Sequence, residues 1–148
     1  MRQQKLWGHM STLAIAITAT IAALGTAALV GAMINRRSGL LRETSPEPAP
    51  KTLELGLSQT GPTVVHFSAV WCGPCASVRR VVDQVCTDLP DVAHVEIDID
   101  ANPAAAKQLS VLSLPTTFVF DTDGRQRHRS TGVPKAADLR TALQPLLA

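Results

Sequence analysis

The sequence is poor in cysteine, with three in 148 residues and no second Cys-x-x-Cys pair beside Cys72 and Cys75. Its four histidines, His9, His66, His94 and His128, never fall at His-x-x-x-His spacing. A structural zinc site takes four ligands, usually two cysteine pairs or one pair with suitably spaced histidines. The ligand count therefore argues against zinc. Excess charge is also lacking, at a formal net +2, which argues against nucleic acid as the main partner. There are no internal repeats, and a chain of 148 residues has room for one compact domain and little else.

One absence is local. Ser11 to Ile34 (STLAIAITATIAALGTAALVGAMI) runs for 24 residues without a charge, more than the ~20 a helix needs to cross a bilayer core. A cleaved signal peptide is the competing reading, with Val30-Gly31-Ala32 as a small-residue cleavage site. The run is longer than the ~7–15 residues of a signal core, and Asn35-Arg36-Arg37 follows it directly. Cations just past a span act as a stop-transfer signal. The expectation is a transmembrane helix over 11–34, a short tail over 1–10 and a single-pass membrane protein. Arg2, Lys5, Arg36, Arg37, Arg42 and Lys51 face only Glu43 and Glu47 in this region, so positive charge gathers where lipid headgroups would meet it. More of it follows the span than precedes it. That bias favours the cytoplasmic face for the rest of the chain, with the other face left open.

Ser38 to Lys51 contains SPEPAP and reads as a stiff, extended spacer. Beyond it the pattern alternates. Thr63–Ala69 (TVVHFSA) is a β-branched, apolar run typical of a buried strand. From Cys75 to Asp88, Val78, Val81, Val82, Val85 and Cys86 recur at helical spacing opposite Arg79, Arg80, Asp83 and Gln84. Val92–Asp98 alternates as a strand. Asn102-Pro103 opens a short helix to Leu109, and Thr116–Phe120 is a strand. Asp121–Gly124 is a hairpin turn. Gln126–Ser130 reads as a polar edge strand, and Pro134–Leu147 as an amphipathic helix. The order predicts an α/β fold with a mixed sheet and helices on both faces.

The stretch HFSAVWCGPCASVRRVV, from His66 to Val82, places a cysteine pair between a strand and a helix. A disulfide across so small a loop stabilises little, whereas a redox pair suits this context. A cysteine at a helix N-terminus faces unpaired N–H groups and the positive end of the dipole, which favour its thiolate. Cys72 is then the exposed nucleophile. Cys75, one turn inward, resolves the mixed disulfide. Pro74 suits the first helical turn, and Gly73 permits close approach of another backbone.

The run Trp71-Cys72-Gly73-Pro74-Cys75 resembles the active-site motif of the thioredoxin family. Leu114-Pro115-Thr116 resembles that family's cis-proline loop, which packs against the sulfurs and offers backbone groups to a bound peptide. Ile97-Asp98 with Asn102-Pro103 resembles its third strand and following turn. Gly124 and Gly132 match glycines of its last hairpin. The resemblance covers Thr63 to Ala148 and implies a thioredoxin-like fold over 56–148, joined by a linker over 35–55. It implies a membrane-tethered thiol–disulfide oxidoreductase with Cys72 and Cys75 as catalytic residues. No cofactor beyond the Cys72–Cys75 disulfide is implied. Protein disulfides are the implied substrates, and a thioredoxin reductase or a membrane thiol carrier the implied electron donor. The Gly-Pro pair resembles reducing members, with a potential close to about −270 mV.

The chain departs from the family at several places. A carboxylate is usual six residues before the first cysteine, where this chain has His66. The family's buried lysine on the neighbouring strand is expected at His94. A neutral imidazole can take the proton of the second cysteine, or His66 and His94 only fill space and bond each other. Arg80 stands where the family has a kinking proline. The usual N-terminal strand and helix are short or missing, with Thr52–Leu57 as a remnant strand. Cys86 reads as a small core hydrophobe. Two other functions stay open: a non-catalytic binding module that scaffolds a membrane partner, and sulfur transfer through a Cys72 persulfide.

Overall fold

The computed structural model describes residues 2–36, 38–48 and 55–148. The chain divides between Arg37 and Ser38 into two compact units. The first is one helix, α1 (Arg2–Arg36). Within it Ala14–Met33 spans 20 residues at a mean hydropathy of 1.9, long and apolar enough to cross a membrane. The hydroxyls of Thr18, Thr20 and Thr26 donate back to carbonyls one turn earlier, at 2.8–3.0 Å, so the few polar groups of this segment are satisfied within it. The helix begins at Arg2, so residues 2–10 of the expected tail are helical. Those residues contain no proline to stop the helix.

The second unit carries strands β1 (Arg42–Pro48), β2 (Thr63–Ser68), β3 (Ala93–Asp98), β4 (Thr116–Phe120) and β5 (Arg125–Thr131), with helices α2 (Cys75–Asp88), α3 (Pro103–Gln108) and α4 (Ala136–Leu143). The sheet order is β1-β5-β4-β2-β3. β2 and β3 are parallel; the other neighbours are antiparallel. This is the mixed α/β sheet expected from the alternation.

Two expectations are corrected here. Part of the expected spacer, Arg42–Pro48, is a strand that pairs with β5. Prolines are tolerated at a sheet edge because no inner neighbour needs their missing N–H. Thr44 also ties this strand down, accepting at Oγ1 from Gln126 Nε2–H at 3.1 Å. In consequence β5 is an inner strand and β1 the edge. Gly39 fixes the entry to β1. Its φ is +81°, and a Cβ there would lie 2.1 Å from Val133 O, so no other residue fits. Of the proposed remnant strand, residues 52–54 lie outside the described residues, and Leu55 is a buried core residue without strand pairing.

Period-two alternation divides β2 and β4 between two cores. Val65, Phe67, Phe118 and Phe120 face α3, with Leu55, Ile97, Ala105, Ala106 and Leu109. Val64 and Val119 face Val78, Val82 and Val85 of α2 and Leu139 and Leu143 of α4. Phe67 and Phe118 meet edge to face, with centroids 5.9 Å apart. The α2 helix runs unbroken past Arg80. The last helix is shorter than expected, giving way to a 3-10 turn at Gln144–Leu146. Pro145 has no N–H to continue the α-helical ladder.

Candidate active site

β2 is buried along its whole length and ends at Ser68, so the chain emerges from the sheet centre directly into the cysteine motif. Cys72 N–H donates to Ala69 O at 3.0 Å and Cys75 N–H to Cys72 O at 3.2 Å. These turns seat Cys72 just before α2 and make Cys75 its first residue. The two are joined by a disulfide, with Cα atoms 5.5 Å apart. Cys75 is 2% exposed, whereas Cys72 is half-buried. No acid stands in the first turn of α2, so nothing there opposes a thiolate at its N-terminus. Cys75 Sγ lies 3.9 Å from Phe67 O, an acceptor for its thiol in the reduced chain.

The other motif residues surround this pair. Trp71 is 67% exposed, and its Nε1–H donates to Asp100 Oδ2 at 3.0 Å. Asp100 is held in turn by its N–H, which donates to Asp98 Oδ1 at 2.8 Å. Pro74 has helical dihedrals at the helix start. Nothing lies within 4 Å of the place a Cβ would take on Gly73, so this chain's own packing does not demand the glycine. The Leu114–Pro115 peptide is cis. Thr116 is buried and donates its hydroxyl to Ser113 O at 2.7 Å. Thr116 pairs with Phe67, so the Leu114-Pro115-Thr116 loop opens at the same end of the sheet as the disulfide. Val70 and Leu112, from the two loops, are each more than nine-tenths exposed.

His66 is fully buried on the α2 side of β2. Its Nδ1 lies 2.8 Å from His94 Nε2, and the rings stack with centroids 5.0 Å apart. The strand register adds an acid to this pair. The residue directly across from His66 on β3 is Glu96, whereas His94 pairs with Val64. Glu96 Oε1 lies 3.6 Å from His66 Nε2. Where the resemblance implies an acid–lysine pair, this chain sets two histidines in contact, with the Glu96 carboxylate beside them. Arg79 of α2 clamps Glu96 with two donors, at 2.7 and 2.6 Å. That hydrogen bonding is the main cause holding the Glu96 carboxyl at about 2. Burial is the main cause lowering His66 to about 4, with Glu96 acting in the opposite direction. The ring is thus neutral at pH 7.

The sequence reading missed Arg79, Asp83, Glu96 and Asp100. Arg79 and Asp83 follow Cys75 at four and eight residues, one stripe of α2, and that spacing was the available signal. Cys86 is half-buried against the α2–α4 core, and burial raises its thiol. Among the described residues no group of three or more His, Cys, Asp or Glu side chains could hold a metal ion.

Comparison with known proteins agrees with this geometry. The family model Thioredoxin matches residues 49–145. A thioredoxin of Mycolicibacterium smegmatis is 41% identical over 88 residues, covering 57% of this chain and 78% of its own. The oxidised mitochondrial thioredoxin 3 of Saccharomyces cerevisiae superposes with a TM-score of 0.51 at 29% identity, over 57% of this chain and 78% of that one. The thioredoxin of Fasciola hepatica gives 0.51 at 28% identity, over 81% and 93%. With its bridged Cys72–Cys75 pair at a helix N-terminus, the chain belongs to the thioredoxin family and is a thiol–disulfide oxidoreductase.

Proposed function

We propose that this chain is a membrane-tethered reductant of protein disulfides, with Cys72 as nucleophile and Cys75 as resolver. The observation that carries this reading is the asymmetry of the pair: Cys72 is reachable at the start of α2, while Cys75 is 2% exposed beneath it. In the reduced chain the Cys72 thiolate attacks one sulfur of a substrate disulfide. A Cys72–substrate bond forms, and the other substrate sulfur leaves as a thiolate that takes a proton. Cys75 then loses its proton and attacks Cys72 Sγ. The Cys72–Cys75 bond forms, the Cys72–substrate bond breaks, and the second substrate sulfur leaves with its electron pair. Two electrons pass from dithiol to substrate. His66 is the proposed acceptor of the Cys75 proton.

Trp71, Val70, Leu112 and the Leu114-Pro115-Thr116 loop form the substrate-binding rim, where exposed apolar side chains suit an extended or unfolded segment of a protein. The tether is the apolar stretch Ala14–Met33, and the charge bias around it supports a domain on the cytoplasmic face. A thioredoxin reductase or a membrane thiol carrier returns the electrons. The potential then lies near about −270 mV.

The test is reduction of insulin disulfides by the full-length chain with dithiothreitol as donor. Wild type accelerates reduction and Cys72→Ser does not. An inactive wild type would instead support a binding module. Membrane attachment is read separately, as retention of the chain in the membrane fraction after an alkaline wash.

A further inference from the structure

Beneath the disulfide a chain of side chains connects a buried ring to solvent. His66 Nδ1 lies 2.8 Å from His94 Nε2, and His94 Nδ1 lies 3.0 Å from Asp83 Oδ1. Side-chain exposure climbs along it, from 0% at His66 to 16% at His94 and 59% at Asp83. Elementary donor rules assign the hydrogens. A carboxylate only accepts, so the His94 Nδ1 carries the hydrogen of that bond. A neutral His94 then offers a lone pair at Nε2. The second bond closes only with a hydrogen on His66 Nδ1. The remaining nitrogen, His66 Nε2, is left bare, and it is a buried atom with no hydrogen-bond partner.

The direction of that lone pair follows from the register. β2 and β3 are parallel and both run toward the disulfide end. His94 sits two residues before Glu96, which stands level with His66. The ring therefore turns Nδ1 back along the sheet to His94, while Nε2 lies 3.6 Å from Glu96 Oε1, level with His66 and nearer than His94 to the end of the sheet where Cys75 stands. The side chains that anchor β3, Arg79 on Glu96 and Asp83 on His94, lie on the same stripe of α2 as Cys75. On the other flank Thr117 of β4 pairs with His66. It is uncharged, and its buried hydroxyl also lacks a partner.

We infer that Asp83 and His94 are positioning residues that hold His66 in its Nδ1–H tautomer, so that Nε2 is the base presented toward Cys75. This rests on the reading of His66 as the proton acceptor in resolution. When the Cys75 S–H bond breaks, the proton goes to His66 Nε2. The sulfur's electron pair forms the bond to Cys72, and the departing substrate sulfur keeps the pair of the bond that breaks. The imidazolium so formed is flanked by Glu96. It returns its proton to water in the open pocket that Glu96 lines with Ser68, Ala69, Val70, Arg79 and Asp98. The charged and titratable groups facing His66 are Glu96 and His94 from β3 and Arg79 and Asp83 from α2. Together with burial they leave the ring neutral at pH 7, with the Nε2 lone pair available.

The test uses the full-length chain labelled with [15N]histidine. Nitrogen shifts at pH 7 should show His66 protonated at Nδ1 and bare at Nε2, and His94 protonated at Nδ1. His94→Leu and Asp83→Ala should shift His66 toward the Nε2–H form. They should slow release from a preformed Cys72 mixed disulfide roughly tenfold or more, given the scale of general-base effects. The first attack by Cys72 should be unchanged. His94→Gln, whose carbonyl can accept from Nδ1–H, should restore both readouts. A wild-type His66 carrying its hydrogen on Nε2 overturns the relay, and so does an unchanged tautomer in both variants. The underlying reading fails separately: if His66→Leu resolves at the wild-type rate, His66 is not the acceptor, whatever its tautomer. The wild-type spectrum needs no variant to fold.

Discussion

His66 and Glu96 stand level across the parallel strands β2 and β3, with Nε2 and Oε1 3.6 Å apart. One is wholly buried and the other is 28% exposed. A carboxylate at this distance favours a proton on the imidazole, while burial disfavours it. Burial is the larger influence, and the ring sits at about 4. The pair therefore consists of a neutral imidazole in the interior beside a fixed negative charge, the setting that the proposed proton transfer from Cys75 calls for.

This balance makes stability depend on pH. The folded value of His66, about 4, lies below the ~6.5 of a free histidine. Between those values the unfolded chain binds more protons, so stability is fully present above about pH 6.5 and is lost as pH falls toward 4. Glu96, held at about 2, loses its contribution only at lower pH. Urea unfolding at pH 7 and pH 5 should show a loss of about 2 kcal/mol assigned to His66. His128 is also lowered by burial and acts with the same sign, so the His66 share is the difference between wild type and His66→Leu. An equal pH dependence in the two proteins would contradict this assignment.

The roles of the two cysteines separate in a trapping experiment. Cys75→Ser should still form the bond from Cys72 to a substrate sulfur but should not release it. A dithiothreitol-sensitive adduct of the full-length chain should accumulate on non-reducing gels. Cys72→Ser should form none, because Cys75 is 2% exposed. An adduct of equal yield in Cys72→Ser would reverse the order of attack.

The apolar face behind β4 should respond to truncation as a close-packed core does. Phe118 is fully buried, edge to face with Phe67, and Arg129 lies over its ring at 5.0 Å. Phe118→Ala should cost about 4 kcal/mol in denaturant unfolding. The same change removes the surface under the Arg129 guanidinium, which donates to Leu109 O and Ser110 O.

Much of this was legible in the sequence because strand and helix periods sort apolar residues to faces. The β-branched, apolar run TVVHFS placed β2 in the core, and the valines of α2 marked its buried stripe. Three features were not legible. Arg42–Pro48 carries prolines and glutamates that suit a solvated spacer as well as an edge strand; only its pairing with β5 decides. Which residue of β3 stands level with His66, Glu96 rather than His94, does not follow from the pattern. A one-residue slip of register would turn every side chain to the opposite face, but a two-residue slip keeps the face and leaves the pattern unchanged. The Asp83–His94 bond lay out of reach for the same reason, since it depends on which rung of β3 lies under α2.

Glu96 and Arg79 offer the sharpest electrostatic test because they act on His66 with opposite signs. The carboxylate raises its affinity for a proton, and the guanidinium lowers it. Glu96→Gln keeps the shape and removes the charge, so the pKa of His66 should fall further and resolution at pH 7 should slow by roughly tenfold, a small part of the attraction between charges this close in a protein of effective dielectric ~20. Arg79→Met keeps much of the side-chain length and removes the opposing cation, so the pKa of His66 should rise. Nitrogen shifts of His66 followed through a pH titration measure both changes directly. Movement in the same direction for both variants would show that they act by disturbing the packing of α2 on β3. Opposite movement, with the disulfide still formed in each, requires the charges themselves to set the basicity of the ring.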